Sequence, residues 1–273
     1  MLAPLLKRSL GLGLLLAGLA APASAATIGY WRMEVDLDPS ANGVRVANEI
    51  AGGSDLISNE AFIDLAANPN GTVPNTGAIN LGSIGSRLQG GANGINGTIA
   101  SYSALDTASL TAEFWARTGE SQATLLQRSS GANGFTISNP NALTITYYVS
   151  NGAGGAVAVT LNTGHNMSAT WHHYAFTYDQ ATGVGRFYVD GVLVTSNDGV
   201  DGRALFWGAA SPLRVGQLMD YASAFNGTMD EVRLSNVALS PTQFLGTVAE
   251  PTSALLLGVV CVALALQTRG ARR

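Results

Sequence analysis

One cysteine, one lysine and three histidines are all that this 273-residue chain contains of those types, and only 12% of its residues are charged. Each scarcity removes a class of protein. Cys261 lies in the C-terminal apolar run, so the region before it has neither a disulfide framework nor a thiol nucleophile. His172 and His173 are consecutive in a predicted strand and point to opposite faces. With His165 as the only other histidine, a three-histidine zinc site would require a local distortion. Basic residues are scarce away from the ends. Lys7, Arg8, Arg269, Arg272 and Arg273 leave nine arginines in residues 26–251 against all eighteen acidic residues, a difference of −9. That balance repels phosphate backbones and excludes nucleic acid as a partner.

Catalytic signatures are missing as well. No Gly-x-Ser-x-Gly elbow occurs, and no glycine-rich phosphate loop leads into a helix. Glycoside hydrolysis needs a pair of carboxyl groups across the scissile bond. Asp230 and Glu231 are neighbours on one predicted strand, so alternation sends them to opposite faces, and Glu113 stands alone on its own strand. A glycan-cleaving enzyme is therefore the last of three readings.

The two ends carry targeting patterns. Lys7-Arg8, the apolar run Leu10 to Ala20 and then Ala23-Ser24-Ala25 form a secretory signal peptide over residues 1–25. Signal peptidase is expected to cut between Ala25 and Ala26. At the other end Thr252 to Leu266 is uncharged, and Arg269, Arg272 and Arg273 follow. Basic residues favour the cytoplasmic side, which puts the long preceding region outside. The apolar run is shorter than the ~20 residues of an ordinary spanning helix, which suits a transient inner-membrane anchor.

Between the ends, turn signals replace helical periodicity. Asn-Gly pairs recur at 42–43, 70–71, 93–94, 96–97, 133–134 and 151–152, and such pairs accept positive φ and punctuate strands. Strands are predicted over Ile28 to Val35, Leu110 to Arg117, Ala142 to Val149, Val157 to Leu161, His172 to Tyr178, Val184 to Val189, Leu213 to Val215 and Met229 to Leu234. Leu143, Ile145, Tyr147 and Val149 share one face, with Thr144, Thr146 and Tyr148 on the other. Asp190-Gly191 favours a tight hairpin, and Ser240-Pro241 starts a brief helical turn. The fold class is all-β: a two-sheet antiparallel sandwich over residues 26–245, plus an N-terminal signal helix and a C-terminal hydrophobic helix in a linker and anchor segment, 246–273.

Binding residues are sought in the loops. Gly85 to Thr98, rich in Gly and Asn, is expected to be either a binding loop on the sandwich rim or a mobile loop with no role. Tyr102, Trp207 and Tyr221 fall in predicted loops, and each either stacks on sugar or packs at the rim. Asp230 with Glu49 and Asp55 is a set for calcium; the alternative is that these are solvated charges and turn formers.

Several motifs taken together resemble the laminin-G-like jelly rolls of the concanavalin A-like superfamily. They are Trp171-His172-His173-Tyr174-Ala175-Phe176-Thr177-Tyr178-Asp179, Gly185-Arg186-Phe187-Tyr188-Val189-Asp190-Gly191, Leu213-Arg214-Val215-Gly216 and the run Phe225 to Leu234. Tyr30-Trp31-Arg32-Met33 and Leu110 to Trp115 agree with them. The resemblance implies a jelly roll that binds glycans or proteins. In calcium-binding relatives the Asp matching Asp230 helps hold the ion, whereas Asn48-Glu49 departs from the usual N-terminal partner. The C-terminus resembles the PEP-CTERM sorting signal, with Ala249-Glu250-Pro251 lacking the first Pro of the motif. That resemblance implies an exosortase as partner and delivery to the cell surface or extracellular matrix of a Gram-negative-type bacterium. The first functional reading is a non-catalytic module for carbohydrate or exopolysaccharide. The second is a structural or protein-binding surface component without glycan affinity.

Overall fold

A computed structural model describes residues 26–33, 45–57, 64–67, 77–80, 88–90, 105–118, 123–129, 131–197, 202–208, 213–216, 225 and 227–245. The expected signal peptide and the expected sorting segment lie outside these residues, as does the expected loop Gly85 to Thr98 except for Leu88–Gly90, which forms a strand and not a loop because it pairs with neighbours on both sides. No helix among the described residues is long and apolar enough to cross a membrane.

Among the described residues there are sixteen strands, the longer ones built from β-branched and aromatic residues between Gly/Asn turns. They are β1 (Thr27–Trp31), β2 (Arg45–Val46), β3 (Leu56–Ile57), β4 (Asp64–Ala67), β5 (Gly77–Asn80), β6 (Leu88–Gly90), β7 (Leu110–Arg117) and β8 (Ala123–Arg128), followed by β9 (Phe135–Asn139), β10 (Thr144–Ser150), β11 (Ala156–Asn162), β12 (His172–Asp179), β13 (Val184–Val189), β14 (Val192–Asn197), β15 (Leu213–Val215) and β16 (Thr228–Ser235). Sheet A runs β14-β13-β12-β7-β16-β5-β4, with β1 also on β16, and sheet B runs β11-β10-β9-β8-β15-β6-β3-β2. Every pairing of named strands is antiparallel.

The inner faces meet in one core. Phe114, Tyr174, Phe176 and Phe187 of sheet A face Phe135, Ile145, Tyr147 and Leu213 of sheet B, all essentially inaccessible. Tyr147 lies 5.2 Å from both the Phe176 and Tyr178 rings, so aromatic packing knits the sheets together.

Seven expected strands reappear as β7, β10, β11, β12, β13, β15 and β16 with bounds within two residues; β8, β9 and β14, of five or six residues, are not among those expected from sequence, nor are β2 to β6, which are too short to carry a period. The first strand is shorter than expected. It ends at Trp31, and Met33 follows with φ 59°, a left-handed conformation that leaves the strand. Asp190 and Gly191 adopt φ 50° and 76°, the paired positive values of the expected hairpin turn. The helical turn appears as a 3-10 helix, Pro241–Gln243, with the Gln243 carboxamide accepting the Ser240 N–H at 3.0 Å.

Residues 236–245 form a strap over the outer face of sheet A. Leu239 and Phe244 pack on Ala175 and Tyr188 in a second, smaller apolar cluster. Thr111 Oγ1 ties the strap down by donating to Val237 O at 2.6 Å and accepting from Leu239 N at 2.8 Å.

Candidate functional site

Three carboxylates on β7 and β16 share the outer face of sheet A, and the way they come together corrects the sequence expectation. Asp230 pairs with Trp115 and Arg233 with Glu113, so two residues of β16 lie opposite one of β7. This bulge puts Glu231 at φ 52°. Its carboxylate accepts the Tyr30 hydroxyl and lies 3.5 Å from Arg32 Nε. Asp230 and Glu231 therefore do not point to opposite faces, and both share the outer face with Glu113.

All three are closed off. Glu113, Asp230 and Glu231 are at most 1% exposed. Glu113 Oε1 accepts Arg233 Nε at 2.6 Å and also Nη2, while Oε2 faces His173 Nε2 and Leu245 N, each at 2.8 Å. Four donors fill the acceptor capacity of a carboxylate, so no lone pair remains for a substrate. Asp230 Oδ1 accepts the Glu231 N–H at 2.8 Å. Burial, reinforced by the bond to Glu231, raises the Tyr30 phenol well above its ordinary range.

The residues proposed for calcium lie on two elements, Glu49 and Asp55 in the loop between β2 and β3 and Asp230 on β16. Asp55 organises its own loop, accepting Arg45 Nε at 2.8 Å and Asn48 N at 3.0 Å. Glu49 is exposed, and its N–H donates to Tyr30 O at 2.8 Å. Among the described residues no three His, Cys, Asp or Glu side chains gather in a group able to hold a metal ion.

At one end of the sandwich, His172 Nδ1 faces Asp190 Oδ2 at 2.6 Å and Nε2 faces Thr170 Oγ1 at 3.1 Å. His165 lies 6.4 Å away between ring centres, its pKa lowered first by burial and then by His172. His173 is on the other face with Glu113, as strand alternation requires.

The outer face of sheet B is built differently. Thr160, Thr146, Thr136, Gln127 and Arg214 are successive cross-strand partners over β11, β10, β9, β8 and β15. The Thr146 and Thr160 hydroxyls lie 3.4 Å apart, and Gln127 Nε2 donates to Thr136 Oγ1 at 3.4 Å. A second row holds Asn162, Thr144, Ser138 and Thr124. Gln127, Arg214 and Thr124 are buried; the β9, β10 and β11 members are half-buried or exposed, and none of these carries a charge.

Tyr148 stands beside these rows with cleared flanks. Its partner on β11 is Ala158, and on the other side its N–H donates to Gly134 O at 3.0 Å. Glycine is required there: φ is +66°, and a Cβ would lie 1.7 Å from Arg128 O. Phe206 N donates to Tyr148 O at 2.8 Å, extending this corner. Leu205 bridges Val149 and is buried in the core, so alternation puts Phe206 outward and Trp207 inward. Trp207 Nε1 donates to Thr107 O at 2.8 Å, its ring meets Phe135 edge-on, and Arg128 lies over it at 5.3 Å. Of the three aromatics proposed from sequence, Trp207 is thus turned toward the core; Tyr102 and Tyr221 lie outside the described residues. Tyr148 and Phe206 are the half-exposed aromatics that loop-based reasoning missed. The alternation of Thr144, Thr146 and Tyr148 was the signal for the first of them.

Fold and site together define a jelly-roll-like antiparallel sandwich with one closed and one open outer face. The chain belongs to Laminin_G_3, of the concanavalin A-like lectin/glucanases superfamily, whose profile matches residues 89–244, more than half of its length. Among solved structures it is similar to domain 4 of an extracellular arabinanase from Geobacillus stearothermophilus in complex with arabinotriose: 16% identity, TM-score 0.54, covering 82% of this chain and 97% of that one. It is also similar to the receptor binding domain of botulinum neurotoxin type G, at 12% identity and TM-score 0.52, covering 81% of this chain and 50% of that one. The serotype D ligand binding domain in complex with N-acetylneuraminic acid gives 12% identity and TM-score 0.51, covering 79% and 48%. The chain thus spans about half of each toxin chain, and at these identities the likeness is one of fold. No curated protein matches the sequence significantly.

Proposed function

We propose that this protein is an exported, non-catalytic module that binds neutral polysaccharide on the outer face of sheet B. The observation that carries the reading is the open array of uncharged hydroxyls beside Tyr148 and Phe206. Hydroxyls that both donate and accept match the groups of a sugar ring, and an aromatic face covers its apolar side. Two relatives of the same fold, the arabinanase domain and the serotype D toxin domain, have saccharides in their complexes, which supports the assignment by analogy. The donor-saturated carboxylates of sheet A support a binding role over a hydrolytic one.

The positions of the ends suit surface display. Ala26, the first residue after the expected signal peptidase cut, has its N–H on Asn236 Oδ1 at 2.9 Å, and Leu245 leaves the domain at Glu113. Both belong to the sheet A side of the sandwich. A C-terminal sorting segment, inserted in the inner membrane and processed by an exosortase, would then present sheet B away from the tether, toward extracellular polysaccharide. The test is a glycan panel probed with the wild-type chain and with Tyr148→Ala. Binding of neutral glycans that Tyr148→Ala removes is the expected result; silence of the wild type across the panel would refute the reading.

A further inference from the structure

Sheet B ends at β11, and that edge lacks the devices that keep an edge strand from pairing. Natural sheets protect their edges with charges, prolines, bulges or short strands. Ala156–Asn162 is seven residues long, with neither a charged residue nor a proline. Its register with β10 runs unbroken from Ala156 to Asn162. Among the described residues β11 has no strand partner besides β10.

Among the described residues the large exposed apolar side chains gather beside this strand. Among the described residues the exposed large hydrophobic side chains are Val157, at 38%, with Val192 and Leu193 at 68% and 50%. Val157 is on β11; the other two are on β14, the edge strand of sheet A, which lies against β11. β14 is uncharged as well. Thus thirteen residues along one side of the sandwich carry no charge, in a region with a net charge of −9.

We infer that β11 is a self-pairing edge, at which two copies of this chain join antiparallel about a two-fold axis perpendicular to sheet B. The occupant is a second copy for an electrostatic reason. Two strongly acidic domains repel each other over most approaches, and this uncharged edge lets them meet without burying like charges. The strand is its own complement in an antiparallel, isologous pair, which closes at two copies. Val157, Val192 and Leu193 of each copy cover the seam.

The pairing has a consequence that rests on the glycan reading. A two-fold axis perpendicular to the sheet keeps both outer faces on the same side, so the hydroxyl-bearing faces of the two copies adjoin. One long polysaccharide then engages both platforms and gains avidity without a new contact.

Sedimentation equilibrium of the full chain over a wide concentration range tests the pairing. Twice the chain mass is expected, with the dimer dissociation constant raised at least tenfold by Val157→Lys and by Leu193→Lys. Val157→Thr, which adds no charge, should leave it within about threefold. Thermal midpoints near wild type establish that the Lys variants are folded. A wild-type protein that stays at single-chain mass would overturn the inference, as would a dimer that persists undiminished in both folded Lys variants. The glycan reading is read separately. Affinity for a short oligosaccharide should be unchanged by the Lys variants, and affinity for the polymer should fall. If no saccharide binds at all, the joined platform fails while the mass data still decide the pairing.

Discussion

Replacing Glu113 by Gln tests whether this fully buried carboxylate is structural. Glu113 is 0% exposed and meets four donors: two from Arg233, one at His173 Nε2 and the Leu245 N–H. Gln has nearly the same shape but only one acceptor oxygen, so its NH2 is forced against N–H donors. Hydrogen bonds to charged groups are worth about 1.5–3 kcal/mol each, and breaking a buried ion pair from one side costs about 3–5 kcal/mol. Arg233 keeps some solvent, its side chain being 15% exposed, and it also donates to Gln243 O. That places the cost at the lower end, about 3 kcal/mol. For a domain of this size each kcal/mol moves the midpoint about 2–4 °C, so Glu113→Gln should melt about 6–12 °C lower. The strap should also loosen first, seen as faster amide exchange over 236–245 than in β7 or β12. Calorimetry and hydrogen exchange of the full chain are the assays. A midpoint within 2 °C of wild type would refute the structural role. Release of reducing sugar by the wild type, lost in a stably folded Glu113→Gln, would replace it with a catalytic one.

Three other outcomes follow from the same contacts. Burial raises the phenol pKa of Tyr147 and Tyr174, and burial with Glu231 raises that of Tyr30, so ionisation favours the unfolded chain. Stability is then fully present below the free phenol value of about 10 and declines as pH rises beyond it; absorbance at 295 nm should show these phenolates appearing only as the circular dichroism of the sandwich is lost, and titration within the folded protein would contradict this. Tyr148→Ala should weaken glycan binding at least about tenfold, about 1.4 kcal/mol, with an unchanged melting midpoint. Gly134→Ala should cost more than about 1 kcal/mol in denaturant titration, since φ +66° and the Arg128 carbonyl both oppose a side chain; a neutral substitution would mean that this corner relaxes freely.

Local pattern made much of this legible. Leu110–Arg117, Val184–Val189 and Leu213–Val215 are strands with the bounds their residues suggest, because a period of two over a hydrophobic run needs no distant partner to be read. The Asp190-Gly191 hairpin and the Ser240-Pro241 turn are likewise written in neighbouring residues. Strands β2 and β3, two residues each, exist only because sheet B gives them partners, and nothing within so short a run announces that.

The site depended on longer-range facts. Asp230 and Glu231 share a face because β16 carries an extra residue opposite β7, and a bulge is a property of two paired strands. Phe206 points outward and Trp207 inward because Leu205 bridges Val149, which the sequence of 205–207 does not contain. The sequence alone determined an all-β, acidic chain without a disulfide framework or a recognisable nucleophile motif. Which carboxylates are sealed, which hydroxyls form a row and which edge is left bare were decided by the tertiary structure. Each depends on the register between strands far apart in the chain, and register is fixed by the whole core rather than by any local run.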